Sequence, residues 1–134
     1  VSGSQPRAFA EALADTGGRL LQVSTDFVFN GQQGSPYRPE QARGPLGAYG
    51  RTNAAGEEAV EQVLGGSGRG VILCTSWVIG PVGKNFALTM LRLHREKPAI
   101  SVVADQVDCP TSTATMAAAC WRVITAELQE PVLY

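Results

Sequence analysis

The stretches Arg19-Leu20-Leu21-Gln22-Val23-Ser24-Thr25-Asp26 and Val71-Ile72-Leu73-Cys74-Thr75-Ser76 decide the fold class. Each is a short, largely apolar run that gives way to polar residues, and the second has the uninterrupted pattern of a strand covered on both faces in a parallel sheet. Their polar ends fall where the chain leaves the sheet, the edge at which α/β proteins build their sites. Outward from them, residues 6–15 predict a helix with Phe9, Ala10 and Leu13 on one face and Gly17-Gly18 as its stop. Residues 49–64 predict a second helix, with Ala55, Ala59, Val60, Val63 and Leu64 on an apolar side against Glu57, Glu58 and Glu61. Phe86, Met90, Leu91 and Leu93 mark a third helix, residues 100–104 a strand, and residues 111–130 a last helix with Met116, Ala117, Cys120, Trp121, Ile124 and Leu128 inward. Helices alternating with short strands predict an α/β fold, a parallel sheet flanked by helices and joined by right-handed crossovers.

Between these elements, residues 30–48 hold Gly31, Gly34, Pro36, Pro39, Gly44, Pro45 and Gly47, too many breakers for a regular core element. They predict a long loop on the active-site side, since connections above about 12 to 15 residues usually carry a function. A dinucleotide fold would also need a G-x-G-x-x-G turn between its first strand and first helix, where backbone N–H groups approach the pyrophosphate. Gly17-Gly18 and Gly65-Gly66-Ser67-Gly68 precede strands instead of following them and read as helix stops. A complete cofactor pocket therefore cannot be derived from these residues alone, which leaves dinucleotide binding by this chain alone in doubt.

Composition narrows the function classes. The sequence has 134 residues, 44% of them hydrophobic, and a net charge of -1 from 11 basic and 12 acidic side chains. That supports one modest core and gives no field for binding a phosphate backbone, so no nucleic-acid partner is expected. No apolar run approaches the ~20 residues that span a bilayer, and the N-terminus lacks a signal-peptide layout, so a cytoplasmic location without membrane association is expected. Cys74, Cys109 and Cys120 are odd in number and form no C-x-x-C pair, which indicates neither disulfides nor zinc. His94 has no carboxylate or thiol ligands beside it in sequence, and no metal site is expected.

Ser24-Thr25-Asp26 at one strand end and Tyr49 at the next helix start would face the same sheet edge. A phenol titrates near pH 10, so proton transfer by Tyr49 near neutrality calls for a hydroxyl to hold it and a cation to stabilise the phenolate. On a helix that cation belongs four residues on, but residue 53 is asparagine, and Arg51 points elsewhere. The rival reading of Tyr49 is a buried phenol bonded to a strand end. Asp26 reads as a turn carboxylate or a substrate contact, and Trp77 as an aromatic that stacks on a base or packs under the long loop. Asp105, Gln106 and Thr111 flank the end of the third expected strand and suit either a ligand contact or a helix cap.

These residues resemble a known family. Ser24-Thr25-Asp26-Phe27-Val28-Phe29-Asn30-Gly31, Pro45-Leu46-Gly47-Ala48-Tyr49-Gly50-Arg51-Thr52-Asn53-Ala54-Ala55-Gly56-Glu57 and Thr75-Ser76-Trp77-Val78 are similar to the dTDP-4-dehydrorhamnose reductases, extended short-chain dehydrogenases/reductases. The likeness continues through Asn85-Phe86-Ala87, Thr89-Met90-Leu91 and Asp105-Gln106…Pro110-Thr111, from about residue 8 to residue 125. It implies an oxidoreductase with a Rossmann-like domain that uses NADPH or NADH to reduce the 4-keto group of dTDP-4-dehydro-L-rhamnose in nucleotide-sugar synthesis.

By resemblance, Thr25 is the catalytic hydroxyl and Tyr49 the proton donor, and Asn53 stands where the family has lysine. Ser24, Tyr49 and Asn53 fall on the cofactor side; Asp26, Phe27, Trp77, Asp105, Gln106 and Thr111 fall on the sugar-nucleotide side. Asparagine can meet a ribose hydroxyl but carries no charge to lower the Tyr49 pKa. The resemblance begins after the family's glycine-rich first βαβ unit and stops before its C-terminal substrate region, which implies a single partial Rossmann-like domain over residues 1–134, lacking that first unit, as a middle segment completed by a homodimer or a complementary fragment. Whether the chain is an enzyme stays open: Ser24, Thr25 and Tyr49 favour a nucleotide-sugar reductase, impaired by truncation and Asn53, while Asn53 favours a noncatalytic scaffold or regulatory subunit.

Overall fold

Leu20–Thr25 and Gly70–Thr75 form strands β1 and β2, which pair in parallel with Leu20 opposite Gly70 and Thr25 opposite Thr75. A computed structural model describes residues 4–126 of the chain. Parallel neighbours need a long connection between them, and helix α2, Ala48–Leu64, supplies it. Helix α1, Ser4–Thr16, precedes β1 and lies against α2. Gly17, at φ 76°, takes the left-handed conformation that ends α1 and turns the chain into β1. The core joins Ala10 of α1, Val28, the α2 residues Ala54, Ala59, Val60 and Leu64, and Val71, Ile72 and Leu73 of β2.

The chain divides into two compact units, one running to Thr75 and resuming at Cys120, the other Ser76–Ala119. Within the second, β3 (Val78–Ile79) pairs in parallel with β4 (Thr111–Ser112). Helix α3, Phe86–Glu96, begins where the Asn85 side chain accepts from Leu88 N at 3.0 Å and carries Arg95 in its last turn, a cation favoured by the helix dipole. Helix α4, Thr113–Thr125, contains the division between the units.

The alternating elements hold to within a residue or two in α1, β1, α2 and β2, and several local readings are corrected. Residues 100–104 form no strand: the run is apolar but has no ladder partner among the described residues, and Val102, Val103 and Val107 are exposed. Phe9 faces outward, 64% exposed, because α1 meets α2 through small residues. Pro6 and Ala10 are the buried ones, and a Cβ on Gly56 would lie only 3.1 Å from Pro6 Cγ. Glu57 is not on a solvated face but 2% exposed. Trp121 and Ile124 of α4 are exposed, and Leu128 lies outside the described residues.

Candidate functional site

β1 delivers Ser24 and Thr25 to its carboxyl end as buried polar residues. Thr25 then caps the 3-10 turn Asp26–Val28: its Oγ1 accepts from Phe27 N at 3.3 Å and donates to Asp26 Oδ1 at 3.0 Å. The turn buries Val28 and leaves Phe27 56% exposed. Helix α2 seats directly on this turn, since a Cβ on Gly50 would fall 2.1 Å from the Phe27 carbonyl oxygen; only glycine permits that approach. The neighbouring residue, Tyr49, is 62% exposed. Its ring meets Phe27 edge-on at 5.8 Å.

Thr25, Asp26, Phe27 and Tyr49 are thus gathered at one strand exit, and the phenol of Tyr49 is accessible rather than buried against a strand end. Asn53 turns back along its own helix, donating from Nδ2 to Tyr49 O at 2.9 Å. Arg51 donates to Leu46 O at 2.9 Å, so its charge is spent on the loop rather than on the phenol. Thr75 stands opposite Thr25 in the sheet register, and its Oγ1 is buried without a hydrogen-bond partner among the described residues.

Behind this face lies a charged network that sequence reasoning missed. Ser24 Oγ donates to Glu57 Oε1, Arg43 donates from Nε to Glu57 Oε2, and Arg43 also holds Glu61, with Nη1 to Oε2 at 3.0 Å and a second bond from Nη2 to Oε1. Burial pulls the Arg43 pKa down, but the hydrogen bonds and charges of Glu61 and Glu57 outweigh it and hold the guanidinium above its ordinary value. Cys74 donates its thiol to Glu57 at 3.8 Å. Burial, then the Glu57 charge and hydrogen bond, push its pKa from 9.0 up to about 12. A readable signal existed: Gly50, Ala54, Glu57, Val60 and Leu64 follow helical spacing on the buried side of α2, and an acid on such a stripe needs a buried partner.

Arg43 belongs to the long loop, which builds its own structure. Asn30 Oδ1 accepts from Gln32 N at 3.1 Å and from the Tyr37 hydroxyl at 2.8 Å, and Tyr37 stacks on Phe29 with centroids 4.5 Å apart. Gly44 N donates to Val28 O at 2.9 Å, tying the loop's end to the turn that carries Phe27.

The remaining predicted site residues lie in the other unit. Trp77 has a φ of 43°, a strained conformation for a bulky side chain. Its ring meets Phe86 edge-on at 4.8 Å, and its carbonyl accepts from Thr111 N at 3.2 Å, so Trp77 and Thr111 are brought together. Ser76 donates to Asp108 Oδ1 at 2.5 Å and to Cys109 O at 3.0 Å. Asp108 was another residue whose part sequence reasoning missed. Asp105 and Gln106 sit on the exposed irregular stretch before β4.

Comparison with known proteins adds the family. The family model described as the RmlD substrate binding domain matches residues 1–134. The dTDP-4-dehydrorhamnose reductase of Streptomyces griseus is 44% identical over 117 residues, covering 87% of this chain and 38% of that protein. The enzyme of the same name from Salmonella typhimurium is 36% identical over 131 residues, 98% of this chain and 43% of that protein. A crystal structure of dTDP-4-dehydrorhamnose reductase from Bacillus anthracis in complex with NADP superposes with a TM-score of 0.90 at 33% identity, covering 100% of this chain and 47% of that one. The chain therefore spans a little under half the length of these relatives.

Four expectations are corrected by these matches. The likeness is not confined to a middle segment of residues 8 to 125, because the family model runs from residue 1 to residue 134. The fold is not described by a missing first unit: the chain follows the B. anthracis reductase along its whole length and is a Rossmann-like parallel α/β fold. Fingerprint glycines govern backbone approach to a pyrophosphate, whereas the β1–α2–β2 crossover depends on burial pattern, so their absence did not bear on the sheet. The expectation of doubtful cofactor binding is corrected by the superposition of this whole chain on 47% of a reductase solved in complex with NADP. The open choice between enzyme and noncatalytic scaffold is likewise overturned, since the sequence and structure matches are to reductases. Among the described residues no helix is long and apolar enough to cross a membrane.

Proposed function

The chain belongs to the RmlD substrate binding domain family, and from that premise we propose that it takes part in NAD(P)H-dependent reduction of the 4-keto group of dTDP-4-dehydro-L-rhamnose. The observation that carries this reading is the accessible phenol of Tyr49, set edge-on to Phe27 at the strand exit that also bears Thr25.

The residues fit a nicotinamide nucleotide at its ribose and carboxamide end. Thr25, Thr75 and Tyr49 offer hydroxyls and Asn53 an amide, and the buried Thr75 Oγ1 has no hydrogen-bond partner among the described residues. The dinucleotide, when bound, supplies a hydride for the sugar's C4. Tyr49 holds the proton that the C4 oxygen needs as it gains charge. Thr25, fixed by Phe27 N and Asp26, presents a hydroxyl of set orientation. Ser24, buried and bonded to Glu57, supports the strand end from behind. Phe27 offers an apolar edge to the sugar and Asp26 a carboxylate for its hydroxyls, with Trp77, Asp105, Gln106 and Thr111 assigned to the nucleotide on the strength of the resemblance.

The same reading takes residues 1–134 as one functional domain with residues 30–48 as a loop on the active-site side, supported by the bond from Gly44 to Val28. It includes a cytoplasmic location, supported by free Cys74, Cys109 and Cys120, and no nucleic-acid partner, supported by the net charge of -1. Self-association or pairing with a complementary fragment is part of the proposal, supported by exposed Val102, Val103, Val107 and Trp121; molar mass by light scattering reads it out.

Incubation of the protein with the keto sugar and NADPH or NADH deuterated at the transferable position tests the reaction. Deuterium at C4 of the product sugar is the expected result; unchanged keto sugar with both nucleotides would reject the assignment.

A further inference from the structure

We propose that Glu57 is a positioning residue that sets the spacing between Thr25 and Tyr49. The inference rests on the reductase reading for its catalytic consequence and on geometry for the rest. Helix α2 meets the β1 exit at two points seven residues apart, and therefore on one face of the helix. At the first, Gly50 lies against the Phe27 carbonyl, where even a methyl group would not fit. At the second, Glu57 accepts from Ser24, the residue before Thr25. One contact would leave α2 able to slide or roll; two fix both its axial position and its phase, and with them Tyr49.

A carboxylate is needed at the second point because three elements converge there. Glu57 is 2% exposed and takes Ser24 from β1, Cys74 from β2 and Arg43 from the long loop. An ionised carboxylate is acceptor-only and has lone pairs for all three. Arg43 supplies the charge that makes burial of Glu57 tolerable, and its second grip on Glu61 holds the loop against the exposed side of the same helix. The loop's end is thus bonded to the turn through Gly44 and to α2 through Arg43. Nothing in the proposed chemistry needs Glu57 to touch a reactant. Its burial keeps it from doing so.

The test compares the wild-type protein with Glu57→Gln, which keeps shape and one acceptor but loses the charge, and with the milder Ser24→Ala. The readouts are melting temperature, backbone amide exchange by mass spectrometry, and kcat and KM for the keto sugar and NADPH. Expected for Glu57→Gln is faster exchange across residues 25–29 and 43–50, a kcat loss of roughly tenfold to a hundredfold, and both KM values within about twofold. Ser24→Ala should loosen residues 25–29 but leave 43–50 as in wild type, because Arg43 keeps its partner. Unchanged exchange in both variants would overturn the proposal. So would a lower melting temperature with kcat intact, which is the pattern of a residue that serves stability alone. Should the wild type itself fail to reduce the sugar, the reductase reading falls, and the exchange arm still decides whether Glu57 sets the spacing.

Discussion

The side chain of Asn53 donates a hydrogen bond to the main-chain carbonyl of Tyr49, Nδ2 to O at 2.9 Å, one turn back along α2. That carbonyl also accepts from Thr52 Oγ1 at 2.9 Å. The position that could stabilise a phenolate therefore carries a neutral group directed at the backbone. Asn53→Lys would place a cation four residues from Tyr49, on the same face, and favour the ionised phenol. The expected outcome is a higher kcat/KM for keto-sugar reduction and an alkaline limb of the pH–rate profile shifted to lower pH. An unchanged profile would show that the charge at this position does not act on Tyr49.

Gly50→Ala should be disruptive although alanine is the better helix former. The new Cβ would lie 2.1 Å from Phe27 O, a backbone atom that cannot swing aside. Overpacking of this kind costs about 1–3 kcal/mol, against a propensity gain of about 1 kcal/mol. Urea unfolding should give a net loss of stability for Gly50→Ala. Gly65→Ala, with open space at its Cβ, should not be destabilised by packing.

The two ion pairs of Arg43 should differ in weight. Glu57 is 3% exposed and Glu61 37% exposed at the side chain. Arg43→Met leaves Glu57 as a buried charge without its cation and should cost about 3–5 kcal/mol. Glu61→Gln should cost no more than about 1 kcal/mol. The double variant Arg43→Met, Glu57→Met removes both charges and should recover much of the loss; denaturant midpoints of the three proteins check the order.

Cys74 and Cys109 should separate in reactivity and in their effect on stability. Cys74 is half-buried with its thiol pushed up to about 12, while Cys109 is exposed. Alkylation at neutral pH should label Cys109 and spare Cys74, since the thiolate is the nucleophile. A thiol whose pKa rises on folding contributes stability that is complete below its ordinary value of 9.0 and is lost as pH rises toward about 12. Stability should accordingly fall across that interval, and Cys74→Ala should fall less steeply.

Much of the first unit was legible in the sequence, for definite reasons. The apolar runs of β1 and β2 sit between glycine stops, and their polar ends mark the strand exits, so Thr25 and Tyr49 could be assigned to one edge. Phe9 and Glu57 were misread because amphipathic counting assumes that large apolar residues turn inward and acids outward. The α1–α2 contact is too close for a phenylalanine, and an acid on the buried side of α2 is held by an arginine from a loop 14 residues earlier in the chain. The buried stripe of α2 marks Glu57 as needing a partner, but nothing periodic says that the partner is Arg43. The run at residues 100–104 failed as a strand for the converse reason: its pattern was right, but a strand exists only where another offers its ladder. Trp77 was legible as a site candidate, yet its left-handed backbone is written in no local turn signal.

The most direct test of the central claim measures keto-sugar reduction by wild type, Tyr49→Phe and Thr25→Val at matched protein stability. The account predicts turnover by the wild type with NADPH or NADH, a loss of kcat of about 100-fold or more for Tyr49→Phe, and a smaller loss for Thr25→Val with KM values little changed. Undiminished turnover by Tyr49→Phe would contradict it.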